Sequence, residues 1–183
     1  MFIVLEGIDG CGKTTVAKLL AEKCNALVTK EPTAGSKKIH QILRHHVTAP
    51  SPLEMQELYI ADRLEHIKRV IEPALAKGKN VICQRYALST YAYGTAFGVS
   101  QKDLKHDFLE PDATFLLDLS AKDAIKRIEK RKKTKEYFEK EKKLEKIRKQ
   151  YLKLAKQHKA IIIDAMPSPE VIVEEILMHL KLV

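Results

Sequence analysis

The run Glu6-Gly7-Ile8-Asp9-Gly10-Cys11-Gly12-Lys13-Thr14-Thr15 holds, from Gly7 to Thr14, the spacing G-x-x-x-x-G-K-[ST] of a phosphate-cradling loop. Its surroundings suit that reading. Phe2-Ile3-Val4-Leu5 is a short apolar run of strand type, and Val16, Leu19, Leu20 and Cys24 recur at helical spacing behind it. Strand, glycine loop and helix is the setting in which helix-start N–H groups converge on an anion. Lys13 adds a point charge for β- and γ-phosphates, and the Thr14 hydroxyl suits magnesium. Asp9 sits inside the loop. A carboxylate beside a phosphate site is unfavourable unless it binds a hydroxyl or a metal-linked water, and the competing reading is a turn-forming residue.

Working outward, strand-like runs recur at Phe2–Glu6, Ala26–Lys30, Asn80–Gln84, Ala113–Leu119 and Ala160–Ile163. Helical patterns separate them at Ser36–His46, Leu53–Lys77, Tyr86–Phe97, Gln101–Leu109, Ala121–Lys132, Glu136–Lys156 and Pro169–Leu180. Ser51-Pro52 opens the long second helix, Gly78 stops it, and Pro73 is expected to kink or split it. The alternation predicts an α/β fold: a five-stranded parallel sheet with helices on both faces. Such sheets bind ligands beyond the carboxyl ends of their strands. Those ends are Glu6–Gly7, Lys30–Glu31, Gln84–Arg85, Asp118–Leu119 and Asp164–Ala165, and polar residues cluster there.

With 183 residues, nearly half of them apolar, the chain is read as one globular domain, residues 1–183. No apolar run is long enough to span a membrane. The opening residues read as a core strand and not a basic leader, so a cytoplasmic protein is expected. Cys11, Cys24 and Cys83 are odd in number and lack C-x-x-C spacing, which suits a reducing compartment. Cys11 is read as a small loop-filling residue.

The net charge of +9 has a definite location. From Lys126 to Lys159 there are sixteen Lys and Arg against five Glu, so the rest of the chain carries seventeen basic and nineteen acidic residues, a balance of −2. The excess is interleaved with Glu and with apolar Phe138, Leu144, Ile147, Tyr151 and Leu154. That pattern reads as a basic cover over phosphates and not as a nucleic-acid face.

Five further positions suggest a second pocket. Tyr59 and Arg63 are four apart on one helix and suit stacking on and hydrogen bonding to a planar base; the competing reading is a core Tyr with a surface Arg. Arg85, at the end of the third strand, suits a second phosphate. Thr90 and Tyr93 follow one and two turns later. A second pocket with its own cations, Arg85 and either Lys30 or Arg44, separates a kinase from a hydrolase. The basic stretch around Arg127, Arg131, Lys132, Lys133 and Lys135 suits a lid that excludes water and neutralises charge.

Together these motifs resemble the thymidylate kinase family over nearly the whole chain. EGIDGCGKTT is similar to its P-loop with an internal Asp, and TKEPTAG to its T-R-E-P segment. LYIADRLEHIKRVIEPALAKGKNVICQRYALSTYAYG resembles its F-A-A-D-R helix and D-R-Y strand end. EKIRKQYLKLAK and IIIDA resemble its lid helix and last strand. The resemblance implies a P-loop NTPase fold with a small lid at about 127–140, transfer from magnesium-bound ATP to dTMP, and a homodimer through helices around Leu53–Leu75. Gly7, Ile8, Asp9, Gly10, Cys11, Gly12, Lys13, Thr14 and Thr15 would hold ATP, with Ala165 near the adenine. Asp9 would bind the sugar 3′-hydroxyl, Tyr59 stack on the base, Arg63 bond its carbonyl and Arg85 hold the acceptor phosphate. Thr90 and Tyr93 would line base and sugar, with Tyr93 disfavouring a 2′-hydroxyl. Lys13, Arg85, Arg131 and Lys135 would be the catalytic cations.

Three departures stand out. Gln84 replaces the Asp of D-R-Y, which leaves magnesium to Thr14, phosphates and waters, with Asp118 or Asp9 as further candidates. Lys135 falls near a lid Arg of the family, a role open also to Arg131. His40 stands near an Arg that often follows the E-P segment. The alternatives are a kinase for another pyrimidine monophosphate such as dUMP, or a non-catalytic P-loop protein that binds nucleotide or nucleic acid.

Overall fold

A computed structural model describes residues 1–44, 48, 50–130 and 141–180. Five strands form one parallel sheet: β1 (Phe2–Glu6), β2 (Ala26–Lys30), β3 (Asn80–Gln84), β4 (Ala113–Asp118) and β5 (Ile161–Asp164), in the order β2-β3-β1-β4-β5. β1 lies in the middle, with Val4 opposite Cys83 on one side and Thr114 on the other. All five of its residues are buried, as a parallel strand covered on both faces requires. Alternate side chains then take opposite faces. Phe2 and Val4 pack with Val81 and Cys83, while Ile3, Leu5 and Ile82 join the larger core.

The helices are α1 (Lys13–Cys24), α2 (Lys37–Leu43), α3 (Pro52–His66), α4 (Glu72–Ala76), α5 (Ala87–Ala96), α6 (Ala121–Lys130), α7 (Glu141–Gln157) and α8 (Pro169–Leu180). Val16, Ala17 and Leu20 of α1 and Ile172, Val173 and Ile176 of α8 enter the larger core. Ile67, Ile71 and Ala74 cover the other face of β1 and β3. The expected α/β sheet is therefore present, with helices on its faces, and the expected helical residues 45–46, 131–132 and 136–140 lie outside the described residues.

Two expected helices differ. The long pattern at Leu53–Lys77 is α3, a wide i→i+5 turn at Ile67–Ile71, and α4. Pro73 sits at the start of α4, where its missing N–H costs least; the wide turn before it makes room for its ring. The pattern at Gln101–Leu109 is helical only as a short turn over Gln101–Leu104. Beyond it the chain runs extended and carries Phe108 to the Tyr86 ring at 6.1 Å, while Leu109 O accepts the Tyr86 hydroxyl at 2.9 Å. Tertiary contacts override the local periodicity there.

Candidate active site

The phosphate loop leaves β1 and enters α1. Gly7 and Gly10 both hold positive φ, 137° and 89°. A Cβ on Gly7 would lie 2.6 Å from Leu117 O, and one on Gly10 2.6 Å from Ala124 O, so glycine is the residue that fits. Ile8 and Cys11 are buried, which leaves their main chains to face a ligand. Cys11 Sγ fills the loop interior, 2.8 Å from where a Gly7 Cβ would sit. Gly12 caps α1 without a side-chain bond, and no acidic side chain occupies the first turn. The positive end of the helix therefore has no anion from its own side chains. Thr14 and Thr15 are exposed at that end.

Lys13 folds back onto the loop, its Nζ donating to Gly7 O at 2.8 Å and Ile8 O at 2.9 Å. Burial, and then repulsion from Arg85, lowers its pKa from the ordinary value. The Thr14 hydroxyl donates to Gln84 Oε1 at 2.8 Å.

Beside the loop opens a cleft whose walls include Asp9, Tyr59, Arg63, Arg85, Thr90 and Tyr93. The predicted acceptor residues from four separate segments are thus brought together. Arg85 holds a left-handed φ of 66°. Its guanidinium pairs with Asp9, donates to Tyr93 Oη at 3.0 Å and to Tyr151 Oη at 3.3 Å. Burial raises the Asp9 carboxyl, but the Arg85 and Lys13 charges outweigh it and hold the group below its usual range.

Arg63 and Tyr59 reverse the bland expectation of a core Tyr and a surface Arg. Arg63 is 1% exposed, whereas Tyr59 is half-buried. The Arg63 guanidinium donates to Glu31 Oε2 at 2.8 Å, Thr90 Oγ1 at 3.0 Å and Tyr86 O at 2.8 Å. Its carbon lies 5.0 Å and 4.8 Å from the centroids of Tyr86 and Phe108. His66 meets the second Glu31 oxygen at 3.1 Å. Glu31, His66 and Cys83 bring potential ligand atoms within 4.8 Å of one another. Glu31 is already engaged by Arg63 and His66, and burial pushes the Cys83 thiol up, so this cluster suits positioning and not metal.

Several residues were not singled out from sequence. Glu6 is fully buried and accepts from Tyr86 N at 2.8 Å, Ser89 N at 3.0 Å, Ser89 Oγ at 2.6 Å and Tyr151 Oη at 3.1 Å. It caps the start of α5 by accepting the Tyr86 and Ser89 N–H groups, and burial raises its pKa. Only its place at a strand end hinted at this. Gln56 also lines the cleft, and no motif marks it.

Other candidates lie elsewhere. Asp118 is bound by Arg148 at 2.7 and 2.8 Å, so its carboxylate is taken and the metal role considered for it is not supported. Among the described residues Lys30 and Arg44 do not line the acceptor cleft; Arg44 borders a separate hollow with Lys37 and His40. Ala165 is fully buried, its N donating to Asp118 O at 2.8 Å. The neighbouring Met166 is exposed, and its carbonyl accepts from Arg127 at 3.2 Å. Arg131, Lys132, Lys133 and Lys135 fall outside the described residues.

A parallel sheet with a phosphate loop after its central strand, flanked by a second cleft with a buried arginine, is the plan of a P-loop kinase for a small phosphorylated acceptor. Comparison with known proteins narrows this. The thymidylate kinase family model matches residues 5–176. A probable thymidylate kinase of Pyrococcus abyssi is 42% identical, covering 98% of this chain and 95% of the relative. One from Methanocaldococcus jannaschii is 39% identical over 99% and 96%, and the thymidylate kinase of Coprothermobacter proteolyticus 38% identical over 100% of each. The chain belongs to the thymidylate kinase family.

Proposed function

We propose that this chain transfers the γ-phosphoryl group of ATP to dTMP, giving dTDP and ADP. The observation that carries the reading is the adjacency of the two sites, with Asp9 of the phosphate loop paired to Arg85 of the acceptor cleft. Arg85 and Lys13 hold acceptor and donor phosphates in line. An acceptor phosphate oxygen attacks the γ-phosphorus as the bond to the β–γ bridging oxygen breaks, and no strong general base is required. Lys13 exchanges the carbonyls of Gly7 and Ile8 for phosphate oxygens. Asp9 takes the sugar 3′-hydroxyl, Tyr59 stacks on the base, Arg63 donates to its carbonyl, and Thr90 and Tyr93 border base and sugar. Gly7 to Thr15 hold the triphosphate by main-chain N–H groups, with Ala165 on the adenine side.

Magnesium, when bound with ATP, neutralises β- and γ-oxygens. Thr14 would hold it, because its hydroxyl proton goes to Gln84 and leaves oxygen lone pairs free. The chain is one kinase domain over residues 1–183 with a lid at about 127–140, from which Arg131 and Lys135 supply further cations. It is a cytoplasmic protein by this reading, in keeping with three free cysteines and with no helix among the described residues long and apolar enough to cross a membrane. It pairs as a homodimer through α3, where Leu53 and Leu64 are exposed on one face, 38% and 46%.

The test is magnesium-dependent ADP release with dTMP, dUMP, the ribose form of TMP and AMP as acceptors. Turnover strongest with dTMP is expected. Lys13→Ala should lower it by at least about a hundredfold. Full activity in that variant, or equal ADP release without any acceptor, would sink the reading.

A further inference from the structure

Behind the acceptor cleft stand two buried groups that the proposed transfer does not use, Glu6 and the hydroxyl of Tyr151. Tyr151 comes from α7, is 1% exposed, and is not among the residues that line the cleft. A buried phenol needs a hydrogen-bond partner for its hydroxyl. In a tyrosine that only fills the core, any nearby carbonyl serves. The partners of Tyr151 are Glu6, Ser89 and Arg85.

The hydrogens of this group have a consistent direction. The Tyr151 hydroxyl donates to Glu6 Oε2 at 3.1 Å and lies 2.7 Å from Ser89 Oγ. Ser89 Oγ donates to the same Glu6 oxygen at 2.6 Å. With their hydrogens turned to Glu6, both hydroxyls keep lone pairs for another donor. Arg85 Nη1 is that donor, at 3.3 Å to each. Burial holds the Tyr151 phenol well above its ordinary pKa, so its oxygen keeps the proton that it shares with Glu6.

The two terminal nitrogens of Arg85 thus have different duties. Nη1 is anchored by the two hydroxyls that Glu6 orients, whereas Nη2 meets Asp9 and Tyr93 in the cleft wall. The main chain of Arg85 is held as well. Its N donates to Leu5 O at 2.9 Å, and its left-handed φ is a conformation kept only where the surroundings fix it. The Tyr151 ring also stands edge-on to Tyr93, with centroids 6.3 Å apart.

We propose that Tyr151 is a positioning residue for the acceptor phosphate: its hydroxyl, oriented by Glu6 and with Ser89 beside it, holds Arg85 Nη1 so that the rest of the guanidinium is aimed at that phosphate. The inference rests on the dTMP kinase reading and extends the acceptor site to α7. Donor and acceptor phosphates must lie in line for transfer, and a small misplacement of either costs a large factor in rate. Loss of the hydroxyl lets the guanidinium swing and leaves the contacts to base and sugar in place.

The test compares Tyr151→Phe with the wild type in dTMP kinetics and in competitive inhibition by thymidine, which has the base and sugar of dTMP but no phosphate. Phenylalanine keeps the ring that packs on Tyr93. In this variant kcat/KM for dTMP should fall about tenfold or more. KM for ATP and the inhibition constant of thymidine should hold. A tyrosine that merely supported the fold would weaken dTMP and thymidine together. In dTMP binding, Tyr151→Phe should add little to Arg85→Lys, because both then act on one contact. Ser89→Ala removes the other partner of Nη1 and should show the same selective loss; it decides the matter where Tyr151→Phe does not fold. An unchanged kcat/KM for dTMP, an equal loss of thymidine affinity, or full additivity with Arg85→Lys would overturn the inference alone. No turnover with dTMP in the wild type would overturn the kinase reading and this inference with it.

Discussion

Asp9 and Glu6 are three residues apart and titrate in opposite directions. Asp9 lies below its ordinary value of 3.8, since Arg85 and Lys13 overcome its burial. Its pairing therefore stabilises the fold above pH 3.8 and is lost as the pH falls through the lower folded value. Glu6 lies above its ordinary 4.5 because it is buried, so its share is full below 4.5 and declines as the pH rises. Asp9→Asn removes the first effect and leaves the second. Urea midpoints between pH 2.5 and 5 should then fall less steeply on the acid side than in the wild type; an equally steep acid limb would show that the Asp9–Arg85 pair is not its cause. Much of this site was legible in the sequence, because strand ends and the glycine loop mark Asp9, Lys13 and Arg85 directly. Glu6 as a helix cap was not, since its partner Ser89 lies 83 residues away. Gln56 was not either, because a glutamine inside a helix carries no spacing signal for the cleft it lines.

At the scale of elements, helix ends followed local chemistry and helix interiors followed packing. Ser51 caps α3 by a reciprocal pair: Ser51 N donates to Glu54 Oε2 at 2.8 Å, and Glu54 N donates to Ser51 Oγ at 3.3 Å. Ser51→Ala should cost about 1 kcal/mol in urea unfolding with the slope unchanged. An undiminished midpoint would mean that Pro52 alone starts the helix. The Ser-Pro start could be read in advance because every group involved lies within four residues. The wide turn at Ile67–Ile71 could not, because it answers to the packing of Ile67 and Ile71 under β1 and β3. The unravelling after Leu104 has a similar origin: Phe108 gains the faces of Tyr86 and Arg63, contacts no periodicity encodes.

For the whole molecule, five strands and their parallel sense were legible, but their order was not, because it depends on pairing between distant segments. The proposed dimer is also a property at this scale. Leu53 and Leu64 are eleven residues apart, three helical turns, and so share one face of α3. Leu64→Glu should shift the mass in sedimentation from dimer to monomer while leaving the fold intact by circular dichroism; an unchanged mass would rule out this face. The central place of β1 has a consequence for synthesis. During translation this strand is made first, yet its two neighbours begin at Asn80 and Ala113. Until both have left the ribosome, an apolar strand waits with open edges, a state that invites aggregation or chaperone capture. Tyr151, which bonds Glu6 from 145 residues downstream, arrives later still. The residues of the phosphate loop are therefore made early, but the loop gains its packing only once Leu117 and Ala124 have been made, and the acceptor cleft beside it waits longer still, for α7.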